Sequence, residues 1–178
     1  MLMSQGYHGT GLQEILDAVR IPKGSFYNYF DSKEAFCAEV IHHYIEPFII
    51  QLQKHLQQPD VDGLNALKCY FNELISELEQ NQFKGGCLLG NLMGELGDNS
   101  DICRSALQMA VKRYRDLIKE GLLKAQHEGQ IRTDLPAEVM ADLLVNTWQG
   151  VLLRMKIEKS VAPLQSCCDS LLEGYFKS

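Results

Sequence analysis

No stretch of this 178-residue chain is apolar for long enough to cross a bilayer, and its first residues lack the order of a secretory signal. Positive charge is scarce. Lys and Arg number 17 against 23 Asp and Glu, a net of −6 that argues against a nonspecific nucleic-acid coat and a membrane-surface role. No repeat, low-complexity tract or strand-like alternation interrupts the helical periodicity. The cysteines are scattered at 37, 69, 87, 103, 167 and 168, unlike a disulfide scaffold, and fit a reduced cytoplasmic protein. His42-His43 and Cys167-Cys168 are adjacent pairs with no second pair at zinc-site spacing, so neither a metal nor another cofactor is expected. Without a glycine-rich phosphate loop, a nucleophile elbow or convincing paired carboxylates, the chain is not expected to be an enzyme.

What is present is concentrated first between Gly6 and Phe36, GYHGTGLQEILDAVRIPKGSFYNYFDSKEAF. Thr10 and Gln13 have capping-box spacing ahead of Leu12, Ile15, Leu16 and Val19. Ile21-Pro22 stops that helix, and Pro22 suits the entry to a second helix over Lys23–Phe30. Asp31 and Glu34 repeat the capping spacing for a third helix starting near Lys33. In the second helix Phe26 and Phe30 share a face and should bury against Leu12, Ile15 and Leu16, leaving Lys23, Ser25, Tyr27, Asn28 and Tyr29 outside.

This segment resembles the DNA-binding domain of the TetR family of bacterial repressors. The resemblance implies that the helix at Lys23–Phe30 enters the major groove of a double-stranded operator. Lys23, Gly24, Ser25, Tyr27 and Asn28 are then candidates at base edges or nearby phosphates. Thr10, Tyr29 and Lys33 are candidates for phosphate contacts, which set register. Family members carry an amphipathic helix before GYHGT, of which Met1–Gln5 supplies about one turn. Over residues 1–46 three basic residues face six acidic ones, a net of −3 that is poor for counterion release. Two origins stay open, a start assigned too far downstream or a shortened product. The intact motif favours the first.

The remainder reads as helices near 33–56, 62–80, 100–128, 136–159 and 163–176, with a kink or break expected at Pro47 and a stop at Gly129. The expected fold is all-α, with a helix-turn-helix head at 1–46, N-terminally incomplete, and a regulatory and dimerisation body at 47–178. By the same resemblance the last two helices form a homodimer. Val139, Leu143, Leu144, Thr147, Val151 and Leu152 offer one face and Leu164, Leu171, Leu172, Tyr175 and Phe176 another. Two-fold symmetry would be mirrored in a palindromic operator.

A second motif, GGCLLGNLMGEL at 85–96, resembles the branch of the family that includes the repressor of N-ethylmaleimide reductase. Some members of that branch answer electrophiles or oxidants through cysteine. Cys87 stands at a helix start, where free N–H groups favour a thiolate, and Lys156 is the candidate neighbouring cation. A packed core cysteine is the plainer alternative. A small-molecule inducer would instead need a pocket, for which Met93, Met109, Tyr114, Trp148 and Met155 are candidates. The expected function is a cytoplasmic, ligand- or redox-responsive repressor. The competing one is a sensing and dimerisation module without independent DNA binding.

Overall fold

The computed structural model describes residues 1–84 and 86–177, and every regular element among them is helical. In chain order these are α1 (Leu2–Gln5), α2 (Leu12–Val19), α3 (Lys23–Phe26), α4 (Lys33–Leu56), α5 (Gly63–Gln80), α6 (Leu88–Leu96), α7 (Asp101–His127), α8 (Ala137–Glu158) and α9 (Ala162–Cys168), followed by π-helical turns at Asp169–Tyr175. The chain divides into two compact units, Met1–Glu46 with Cys87–Val111 and Pro47–Gly86 with Lys112–Ser178. Residues 1–46 thus share one compact unit with residues 87–111. So short a segment buries little apolar surface by itself, and α6 with the start of α7 adds the buried Leu88, Leu89, Leu92, Leu96 and Ala106 to its unit.

In the first unit several boundaries differ from the expected ones. The Gly11 N–H, not that of Thr10, donates to the capping carboxylate of Glu14 at 3.4 Å. Arg20, at φ 56°, ends α2 in the left-handed region. α3 is a single turn, and Asn28–Phe30 continue as tight turns in place of a helix to Phe30. Glycine, serine and aromatics are modest helix formers, so the run has little reason to continue. Ser32, not Asp31, caps α4 by accepting the Ala35 N–H at 3.0 Å. Phe26, Phe30 and Phe36 form an aromatic cluster with centroids 5.3, 5.8 and 5.2 Å apart, a geometry adding about 0.5–1.5 kcal/mol per pair beyond burial. Phe26 and Leu16 are buried, while Leu12 and Ile15 are half-buried.

No break interrupts α4 at Pro47. A proline there removes one hydrogen bond, but Ile45, Ile49 and Leu52 are buried on either side. In the second unit Asp62 caps α5 by accepting the Asn65 N–H at 2.7 Å. Gly63 then permits a close approach to α7. A Cβ there would lie 2.5 Å from both the Gly121 carbonyl oxygen and the Ala125 nitrogen. Tyr70, Phe71, Ile118, Leu122, Met140 and Leu144 fill the core of this unit.

Candidate nucleic-acid interface and thiol site

Phe26 anchors the α3 turn, being 5% exposed. Around it Lys23, Gly24 and Asn28 are exposed, Ser25 is half-buried, and Tyr27 and Tyr29 stand 50% and 83% exposed. Six of the eight proposed DNA-contacting residues therefore lie on one turn and the loop after it, held from below by one phenylalanine. A side chain at Gly24 would meet nothing within 4 Å in this chain, so internal packing does not require glycine there.

The remaining two candidates are differently employed. Thr10 is completely buried, and its hydroxyl donates to the Gly6 carbonyl at 2.7 Å. Its side chain cannot meet a phosphate in this arrangement. The Lys33 ammonium donates to the Tyr7 carbonyl at 2.6 Å and lies 3.9 Å from the Tyr7 ring centroid, a charge–quadrupole contact as well as a hydrogen bond. The Tyr7 phenol pairs with the Glu34 carboxylate, and burial, reinforced by that carboxylate, raises its pKa. Tyr7 thus ties the GYHGT corner to the first turn of α4.

The same corner is held from a third side. One carboxylate oxygen of Glu95 accepts the N–H groups of Tyr7 at 2.8 Å and His8 at 3.0 Å. Sequence reading missed both Tyr7 and Glu95 as anchors. No local signal could have paired them, because 88 residues separate Tyr7 from Glu95.

Cys87 is the N-cap residue of α6 and is half-buried. Its thiol is hydrogen-bonded to the Tyr44 phenol, whose oxygen also accepts the Leu88 N–H at 3.3 Å. Burial, with Cys87 beside it, raises the Tyr44 pKa. Four of the six cysteines are buried, and burial pushes the Cys37 and Cys168 thiols up to about 12 and Cys167 to about 11. Such thiols are poor nucleophiles. Lys156 lays its stem on Gly86, where a Cβ would come 2.9 Å from the lysine Cδ.

Two models of known families match the chain. "Bacterial regulatory proteins, tetR family" covers residues 1–40, and "Tetracyclin repressor-like, C-terminal domain" covers 63–171. The HTH-type transcriptional repressor DhaR of Mycobacterium sp. (strain GP1) is 34% identical over 178 residues, all of this chain and 88% of that protein. The chain belongs to the TetR family. Among solved structures, a regulatory protein TetR from Rhodobacter sphaeroides superposes with a TM-score of 0.88 at 30% identity, covering 97% of this chain and 92% of that one. The reduced form of NemR from Escherichia coli gives 0.82 at 28%, covering 93% and 86%.

TetR-family regulators bind DNA and small-molecule ligands and act as dimers. For a ligand pocket in this TetR-family chain, Tyr114, Trp148 and Met155 are buried in the second unit, with Trp148 4.7 Å from the Phe71 ring. Met93 and Met109 are 37% and 51% exposed and belong to the first unit. Of the two expected dimer faces, Leu144, Leu152, Leu164, Leu172 and Phe176 are buried within the chain's own fold, while Val139, Leu143 and Tyr175 are exposed. No helix among the described residues is long and apolar enough to cross a membrane.

Proposed function

We propose that this chain is a cytoplasmic, homodimeric repressor, not an enzyme, that binds a palindromic operator through the α3 turn. Lys23, Gly24, Ser25, Tyr27 and Asn28 meet base edges or adjacent phosphates, and Tyr29 meets the phosphate backbone. The observation carrying this reading is the exposure of Lys23, Tyr27, Asn28 and Tyr29 together around the buried Phe26. Two large aromatics left in water beside a lysine fit a surface made to be covered, and the major groove admits an element of this size. Gly24, open on its outer side, leaves room for a close approach of the duplex. Lys33 and Thr10 serve this surface indirectly, by fixing the corner at Tyr7.

Release follows a signal received elsewhere in the chain, either a small molecule bound beside Tyr114, Trp148 and Met155 or covalent modification of Cys87. Cys87 is favoured by its partial exposure and its position at the α6 N-terminus, within reach of an electrophile from solvent. Lys156, with its stem on Gly86, is the cation proposed to assist. With an activated alkene, the sulfur bonds to one alkene carbon and the thiol proton ends on the other. The DhaR and NemR names each describe a transcriptional repressor, which supports repression over activation.

The test is fluorescence anisotropy of the reduced protein on the duplex upstream of its own gene, with random duplex as competitor at two salt concentrations. Specific binding that survives the competitor is expected, and its loss on adding an activated alkene follows if Cys87 is the sensor. Cys87→Ser should bind equally well and ignore the alkene. A serine variant that still responds would remove Cys87 from the mechanism, and binding no tighter than to random duplex would remove the operator-binding reading.

A further inference from the structure

We infer that Glu95 is a positioning residue for operator binding, its carboxylate clamping the Gly6–His8 corner that sets the two helices flanking α3. This rests on the operator-binding reading above. Both N–H groups, of Tyr7 and His8, point at the single oxygen Oε2 of Glu95, at 2.8 and 3.0 Å. Gly6, just before them, has φ 75° and no side chain. A Cβ there would lie 2.4 Å from the other carboxylate oxygen, so the clamp occupies the side that only glycine leaves open. One turn earlier on α6, Asn91 donates its amide to the Met3 carbonyl at 3.5 Å. The same helix face therefore grips the chain on both sides of Gly6.

From this corner the restraint runs to both flanking helices. Towards α2, the Thr10 hydroxyl donates to the Gly6 carbonyl. Towards α4, Tyr7 receives the Lys33 ammonium at its carbonyl and pairs its phenol with Glu34. Three charged side chains, Lys33, Glu34 and Glu95, thus converge on Tyr7 and its neighbour. Hydrogen bonds to a charged acceptor are about twice as strong as neutral ones. The orientation of the corner is set by the second sequence motif as much as by the first.

Charge separates this inference from an electrostatic effect. Glu95 adds a negative charge to a unit that must approach a polyanion. By charge alone, removing it should strengthen binding to any duplex. By positioning, removing it should weaken binding to the operator. Glu95→Ala and Glu95→Gln delete the same charge, but glutamine keeps an oxygen that can accept both N–H groups.

The experiment compares wild type, E95A and E95Q of the whole reduced chain by anisotropy on the operator and on random duplex, with amide exchange at Tyr7 and His8. Operator affinity of E95A should fall at least about tenfold below that of E95Q, as expected for leaving two backbone N–H groups without the acceptor that glutamine keeps. Random-duplex affinity should move equally in both variants, and Tyr7 and His8 amides should exchange faster in E95A only. Equal operator affinity in E95A and E95Q would overturn the inference. If E95A does not fold, Gly6→Ala displaces the carboxylate by contact, and undiminished operator binding in that variant would equally overturn it. A wild-type protein that fails to distinguish operator from random duplex defeats the function itself, visibly and before any variant is measured, and this inference falls with it.

Discussion

Replacing Lys33 with methionine should lower stability and leave the salt dependence of operator binding unchanged, the reverse of what a phosphate contact would do. The ammonium is 2.6 Å from the Tyr7 carbonyl and 3.9 Å from the Tyr7 ring centroid, on a half-buried side chain. A hydrogen bond to a charged group contributes about 1.5–3 kcal/mol and an exposed cation–π contact about 0.5–1 kcal/mol. Methionine retains most of the stem, so the packing loss is small and a net cost of about 2 kcal/mol follows. For a chain of this length that is a fall of roughly 4–8 °C in Tm. Each phosphate neutralised contributes about 0.9 to the slope of log K against log salt, so a dimer losing two contacts would lose about 1.8. Lys23→Met supplies the contrast, since Lys23 is exposed. Its slope should fall by that amount with Tm unmoved. Thermal melts and anisotropy titrations over a salt series measure both quantities on the same preparations. A Lys33→Met protein with unchanged Tm and a slope reduced by about 1.8 would refute the anchoring argument.

Two further expectations concern the second unit. Gly63→Ala places a methyl group 2.5 Å from backbone atoms of Gly121 and Ala125, which cannot rotate away as a side chain could. Overpacking of this kind costs about 1–3 kcal/mol, and a denaturant midpoint unchanged from wild type would show that α5 and α7 are not so closely crossed. Asp116 is held at about 2, below its ordinary 3.8, first by a hydrogen bond from Lys112 and then by Arg115. A depressed carboxylate stabilises the fold fully above pH 3.8, and this contribution drains away as pH falls towards 2. The stability advantage of wild type over Asp116→Asn should therefore shrink through that window, and a pH-independent difference in denaturant melts would contradict the pairing.

The division of labour between sequence and tertiary structure is visible residue by residue. Helix starts and stops were legible where a side chain serves its own backbone. Asp62 before α5, Ser100 before α7 and Gly129 after it act within a few residues, so spacing alone suffices. The burial of Phe26 and the outward set of Lys23, Tyr27 and Asn28 follow from positions on one short turn. Where neighbouring residues compete for one local task, spacing was a residue off. Ser32 caps α4 beside Asp31, and Gly11 with Glu14 opens α2 beside Thr10 and Gln13.

What spacing could not supply is everything that depends on two distant segments meeting. Thr10 and Lys33 look like phosphate ligands in a linear reading, and only the fold turns the hydroxyl to Gly6 and the ammonium to Tyr7. Met93 and Met109 follow helical spacing as well as any lining residue, yet they lie on exposed faces. Glu95 meets the Tyr7 and His8 amides across nearly half the chain, and Tyr44 meets Cys87 across a shorter gap. By itself the sequence determined the helical elements and the family, because periodicity, capping and motif order are properties of neighbours. Only the tertiary structure decided which polar groups remain available for function, because a hydrogen-bonding group that finds a partner within its own fold is no longer offered to another molecule.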